Sequence, residues 1–421
     1  MKYLSELIKK AEQGDSNAMI DLGVMYRWGN GVARDMEKCF YWTNKATALL
    51  NPIAYQYLGY HHEIPVGYSD PNDDDADYKT VFDCFFKGAI LDDLTSIYKV
   101  GDMYFTGKFV EKDQRFAFEL YKRSEKIFGY SSASLNLRLG ECYCMGLGTE
   151  QDIEKAHEYL ENAIAEYEDR EADGEVPELF MEGYNRAKHL LKRIDADKIP
   201  GKPIDLEMEK KNMEYTAFVA GEQKNFPEPH YPIEALEALK KENPELTIPK
   251  GEDFNTALTK VGYGDTRAMY YIAFYCINRF ENEPDRKDMI DFALHYYYQS
   301  ARSGFSAALY SLGTVYRRGQ AVTPDPKKAL LYYDQSKETI AQEEIGRYYL
   351  NGEFVEQDYE RAFKCFVKCA LFREKYDYAA LPELARMYRE GLFVDPDTIF
   401  ADYLEEEGKK RGESVREYEK G

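Results

Sequence analysis

The sequence predicts an all-α solenoid of about eight stacked helix pairs. Three observations carry that prediction. A string at residues 22–32, LGVMYRWGNGV, returns at 139–149 as LGECYCMGLGT and at 312–322 as LGTVYRRGQAV. Anchored on its small residue, the string has eight copies, at Gly23, Gly59, Gly101, Gly140, Ala273, Gly313, Gly346 and Ala385. The anchors step by 36, 42 and 39 residues in the first four copies and by 40, 33 and 39 in the last four. Between anchors lies a second pattern with two small residues seven apart, which is one face of two helical turns.

The first helix of each copy carries an aliphatic residue and then the anchor. Six copies place a tyrosine three residues on: Tyr26, Tyr104, Tyr143, Tyr316, Tyr349 and Tyr388. The same six place a glycine three further on, Gly29, Gly107, Gly146, Gly319, Gly352 and Gly391. A small anchor lets another helix approach closely, the tyrosine fills the next turn, and the glycine ends the helix left-handed. The second helix starts near a cap such as Asp35, Asp152 or Asp325. Its small pairs are Cys39/Ala46, Val81/Gly88, Ala117/Ser124, Ala156/Ala163, Ala293/Ser300, Ala329/Ser336, Ala362/Cys369 and Ala401/Gly408. Val81 alone is not small.

The motif A-x3-L-G-x2-Y-x2-G-x-G-V at residues 18–32, with K-A-x2-Y-x3-A at 155–163, resembles the Sel1-like repeat family, a subclass of the tetratricopeptide-like α-solenoids. The resemblance spans about residues 10–165 and 262–410. It implies a right-handed superhelical stack and says little about activity, because such repeats bind very different partners. Copies two and five lack both the tyrosine and the helix-ending glycine. Three divisions follow: four repeats in 1–165, an insert in 166–260, and four repeats in 261–421. The insert opens acidic, continues as an amphipathic helix over 183–194, and then carries prolines at 200, 203, 227, 229, 232, 244 and 249. Short helices fit around 206–218 and 233–241, so it reads as a structured spacer.

Composition narrows the function. A formal charge of −21 weighs against general nucleic-acid binding and against anionic membranes. No apolar run approaches the ~20 residues of a membrane span. The opening residues MKYLSELIKKAEQGD are amphipathic and lack the apolar core of a leader, and the cysteine count is seven. A reducing cytoplasm and free thiols are therefore expected. The glycine pairs at the repeat ends are loop closers, with no strand before them and no Lys-Ser/Thr after. Asp73, Asp75 and Asp77 have the spacing of a calcium loop. Tyr78 stands where that loop needs glycine and Cys84 where it needs glutamate, so a helix cap is the better reading. The cysteines occupy core slots, His62 takes the tyrosine slot of copy two, and no catalytic triad can be assembled. No cofactor, metal or catalytic residue is assigned.

One constellation remains. In tetratricopeptide-like folds the first helices line the concave face. The resemblance implies a lining from positions three before, one after and four after each anchor. These include Tyr98 and Phe105, Tyr270 and Phe274, and Tyr310, followed by Arg317, Arg347, Arg386 and Arg389. Arginine forks pair with carboxylates or phosphates, and aromatic rings supply apolar anchors. The competing reading pairs these arginines with Glu343, Glu383 and Glu390. The expected function is a non-catalytic scaffold or adaptor that holds a peptide or protein, acidic partners included, in this groove. A regulatory sensor for a small anionic ligand at the arginine end is the alternative. Either use of the arginines requires unpaired guanidinium groups.

Overall fold

The computed structural model describes residues 2–63, 77–128, 132–172, 178–196, 198, 218–219, 221, 247–248, 252–253, 256–257, 260–261, 264–281, 283–320, 322–336, 338–372 and 377–420. Among them are eighteen α-helices and one two-residue antiparallel pair, β1 (Thr247–Ile248) with β2 (Glu252–Asp253). A leading helix α1 (Lys2–Glu12) precedes four pairs: α2 (Ser16–Trp28) with α3 (Met36–Thr47), α4 (Pro52–Glu63) with α5 (Tyr78–Ile90), α6 (Leu94–Thr106) with α7 (Gln114–Phe128), and α8 (Ala133–Met145) with α9 (Ile153–Ala172). α10 (Glu178–Asp195) follows, where the sequence predicts a helix over 183–194. Four more pairs are α11 (Thr266–Phe280) with α12 (Lys287–Arg302), α13 (Ser306–Arg318) with α14 (Pro326–Gln335), α15 (Thr339–Asn351) with α16 (Tyr359–Phe372), and α17 (Ala380–Glu390) with α18 (Thr398–Lys420). The fold class is the α-solenoid that the repeat grammar predicts. The helices expected around 206–218 and 233–241 fall almost wholly outside the described residues.

The anchors do what a small residue in a helix is for. A Cβ on Gly101 would lie 2.8 Å from the Tyr121 ring, on Gly313 2.6 Å from Tyr333, and on Gly346 2.7 Å from Phe366. Each of those rings stands four residues after the first small slot of the second helix, so the close approach is filled by an aromatic ring. The six helix-ending glycines all have φ between 66° and 80°. Beyond them the chain closes each pair with a repeated device. The capping aspartate donates its N–H to the carbonyl of the slot tyrosine: Asp35 to Tyr26 at 2.9 Å, Asp152 to Tyr143 at 3.0 Å, Asp325 to Tyr316 at 3.0 Å and Asp397 to Tyr388 at 3.0 Å. Its carboxylate accepts from the N–H three residues on, as Asp35 does from Lys38 at 3.0 Å. That third residue then covers the tyrosine ring, Lys38 over Tyr26 at 5.2 Å, Lys155 over Tyr143 at 5.2 Å and Lys328 over Tyr316 at 5.1 Å. Such cation–π contacts are worth about 0.5–1 kcal/mol each at exposed sites. One slot tyrosine thus serves packing, turn closure and charge at once.

Contacts divide the chain into two compact units, Met1–Ile204 with Ala370–Gly421, and Asp205–Cys369. The expected insert 166–260 is divided between the two at 204/205, and the last helix pair packs into the first unit. There the Lys87 ammonium of α5 lies 3.0 Å from Asp83 and 2.9 Å from Asp397, and the Tyr388 hydroxyl donates to Asp83. Phe400 of α18 meets Phe86 edge-on with centroids 6.3 Å apart, and Arg123 of α7 donates to the Leu371 carbonyl at 2.9 Å. Burial alone would lower the Lys87 pKa, but Asp83 and Asp397 outweigh it and hold the ammonium above its ordinary range. The second unit has a core of tyrosines and aliphatics, with Tyr297, Tyr298, Tyr332 and Tyr333 fully buried.

Candidate partner-binding surface

The first-helix face is partly closed. In the first unit Tyr98 is half-buried against Tyr121, with ring centroids 5.8 Å apart. Burial, reinforced by Asp102, pushes the Tyr98 phenol well above its ordinary pKa. Phe105, expected to be exposed, is buried, and the Arg138 guanidinium covers its ring at 5.1 Å. Leu137, Glu141 and Cys144, the corresponding positions of the next copy, are buried too. The Arg138 side chain covers Phe105, and α10 packs on the next face, where a Cβ on Gly183 would stand 3.6 Å from Leu137 and Arg186 reaches Glu141.

The polar contents of this face lie one slot away from the expected ones. Two residues before the anchor stand Lys99, Arg138 and Glu344. Each reaches back to the preceding copy. Lys99 pairs with Glu63 at 2.8 Å, Arg138 with Asp102 at 2.8 Å, and Arg317 with Glu344 at 3.2 Å. Arg138 also holds Glu141 at 2.9 Å, and Arg186 of α10 takes the other oxygen of that fully buried carboxylate. The signal was present as opposite charges between the slot two before one anchor and the slots one or four after the previous anchor.

Between copies one and two lies a buried group that the sequence did not single out. Arg27 donates to Nδ1 of His61, and Sγ of Cys39 is 3.2 Å from His61 Nε2. A guanidinium can only donate, so Nδ1 accepts, Nε2 carries the proton and the sulfur receives it. His61 is the buried histidine here, 4% exposed, while His62 in the tyrosine slot is half-buried. Burial, with Arg27 adding to it, pulls the His61 pKa down to about 3, and burial pushes the Cys39 thiol up. Both groups are neutral near pH 7, so the arrangement packs and orients rather than activating a nucleophile.

In the second unit Tyr270, half-buried, sits among Phe274, Tyr297 and Phe305 at 6.1, 5.9 and 5.2 Å between centroids. Phe274 beside it is 40% exposed. Tyr310 packs on Tyr333 at 5.6 Å. Arg347 pairs with Glu343 at 2.7 Å, one turn back on the same helix. In the first unit Arg386 pairs with Glu390 at 3.2 Å, and Arg389 bridges Asp402 at 2.7 Å and Glu405. The expectation of unpaired guanidinium groups is therefore not met. In so acidic a chain every one of the four finds a carboxylate: Arg347 and Arg386 on their own helix, Arg389 on the following one, and Arg317 on the first helix of the next pair. Arg317 and Arg347 also belong to one unit, Arg386 and Arg389 to the other.

Asp77 caps α5, accepting from the Thr80 N–H at 3.2 Å, while Asp73 and Asp75 lie outside the described residues. All seven cysteines are free thiols. Among the described residues no helix is long and apolar enough to cross a membrane.

Two solved structures resemble the chain at 18% identity, each covering 99% of it and 90% of the other protein. One is a protective antigen present in uropathogenic Escherichia coli strains and displaying an SLR fold, with a TM-score of 0.34. The other is a Sel1 repeat protein from Oxalobacter formigenes, with a TM-score of 0.30. No curated protein matches the chain. The Sel1 repeat model matches residues 16–49, 95–125, 133–166, 266–305, 306–338, 339–370 and 380–401. Copy two is not among these matches, and there α4 and α5 supply the helix pair. With more than half of its length matched, repeat after repeat on the helix pairs described above, the chain belongs to the Sel1 repeat family.

Proposed function

We propose that the chain is a non-catalytic protein-interaction scaffold, and that its second unit holds a partner segment against the aromatic face of α11 and α13. The observation that carries this reading is Phe274, 40% exposed on a bed of half-buried and buried rings. A ring exposed on a rigid aromatic bed gains apolar burial on docking at little entropic cost. Tyr310 extends the patch, and Arg317 and Arg347 stand at its edge as pairs whose carboxylates an acidic partner would have to displace. Apolar burial is accordingly the main source of affinity and the arginines tune it. Tyr98 and Phe105 contribute to folding of the first unit rather than to capture. Seven thiols, six of them buried, suit a reducing compartment such as the cytoplasm.

The test is quantitative affinity capture from native extract with the wild-type chain, Phe274→Ala, Tyr270→Ala and the surface control Glu360→Gln. A partner retained by wild type and Glu360→Gln but depleted about tenfold by either aromatic change supports the reading. Equal recovery by all four rejects it. Loss of capture in Arg347→Glu alone, together with saturable binding of a small anion, favours the ligand-sensor alternative.

A further inference from the structure

After the helix-ending glycine, three repeats read Gly-x-Phe-Val, at 107–110, 352–355 and 391–394. Their phenylalanines all have left-handed backbones: φ is 66° at Phe109, 64° at Phe354 and 70° at Phe393. Repeats one and four place Gly31 and Gly148 at this point, with φ 74° and 75°. Glycine takes that conformation freely and a side chain does not, so each phenylalanine must return something for its strain. Two of them do so within the first unit. Phe109 and Phe393 stack on each other, centroids 6.2 Å apart and planes within 12°. Phe82 packs on Phe109 at 5.2 Å, and the Lys79 ammonium lies 4.6 Å over the Phe393 ring.

Phe354 carries the same strained backbone in the second unit, yet it is 61% exposed. Its ring meets Tyr348 edge-on at 6.2 Å. The valine after it packs on the core, so the loop is seated and the ring faces outward. Glu353 and Glu356, both exposed, flank the ring; the Phe109 loop has Lys108 in the first of these places and Glu111 in the second.

We propose that Phe354 is a docking ring for a protein loop that presents an aromatic side chain beside a lysine. The ring-on-ring contact follows the mode that Phe109 and Phe393 already use inside this chain. The partner's lysine meets Glu353 and Glu356, and its ammonium covers the ring as Lys79 covers Phe393. A second copy of the chain fits less well. A symmetric contact through Phe354 would set Glu353 and Glu356 against their own copies, and like charges so placed select against that partner. This surface is separate from the aromatic face of α11 and α13 and does not depend on it.

The probe is a synthetic peptide of residues 104–113, YFTGKFVEKD, titrated into the full-length chain by calorimetry. Phe354→Gly and Phe354→Ala in the chain, and Lys108→Glu in the peptide, are each expected to weaken binding roughly tenfold or more. Melting temperatures supply an independent readout. Phe354→Gly should raise the melting temperature by removing uncompensated strain, whereas Phe109→Gly and Phe393→Gly should lower it by removing the stack. Binding no tighter than that of a scrambled peptide overturns the proposal, as does unchanged binding to Phe354→Gly. Self-association of the chain that Phe354→Gly abolishes, without peptide binding, overturns it in favour of a second copy.

Discussion

At the scale of single residues, the buried histidine makes the clearest demand on solution conditions. His61 titrates near 3 in the folded chain and near its ordinary 6.5 when unfolded. A depressed folded pKa means the unfolded chain binds the extra proton first. The contribution is fully present above pH 6.5 and is lost as pH falls toward 3. Denaturant midpoints measured between those values should drop, and His61→Gln should flatten that part of the slope. Identical slopes in both proteins would refute the neutral-imidazole arrangement. The anchors make a steric demand instead. Gly313→Leu should cost about 1–3 kcal/mol or more by driving into Tyr333, while Glu360→Gln stays within about 0.5 kcal/mol. Equal thermal midpoints for the two variants would show that the anchor does not mediate helix contact.

At the scale of elements, charge links one helix pair to the next. Arg138 ties α8 to Asp102 of α6 and supports a carboxylate with no exposure to solvent. Truncating it to methionine leaves two carboxylates short of a partner, and a loss of about 3 kcal/mol is expected in urea denaturation. The loss should change little with salt, because the pair is mostly shielded. A salt-sensitive loss under about 0.5 kcal/mol would place Arg138 among ordinary surface pairs. This element scale also separates what the sequence could reveal from what it could not. Helix pairs, anchors, caps and slot tyrosines were legible, because each rests on contacts within one period. Exposure of the lining was not. Phe105 has the same offset from its anchor as Arg317, but whether either meets solvent depends on which side chains of later helices reach it, as Arg138 reaches Phe105 and Glu344 reaches Arg317. Lys99, Arg138 and Glu344 were readable in principle as charges that complement the previous copy.

At the scale of the whole molecule, a linear array would stabilise each repeat only through its neighbours. Here Lys87 of the second pair and Asp397 of the last are 2.9 Å apart. Asp397→Asn should therefore speed amide exchange in α5, some three hundred positions back along the chain, as read by hydrogen–deuterium exchange. Faster exchange confined to α17 and α18 would mean that the last pair merely rests there. No local pattern announces this contact, since Lys87 reads as an ordinary helix-surface residue and Asp397 as an ordinary helix cap, each within its own period.

The placement of the last helix pair also sets an order of events during synthesis. In sequence, residues 205–369 stand between the two parts of the first unit. At roughly 5–20 residues per second, the ribosome takes about ten to thirty seconds to translate that segment. Throughout that time Phe86 and Phe116 wait without the aromatic partners Phe400 and Phe372 that later cover them. The nascent first unit is thus an unfinished surface that a chaperone can occupy while the second unit is being made.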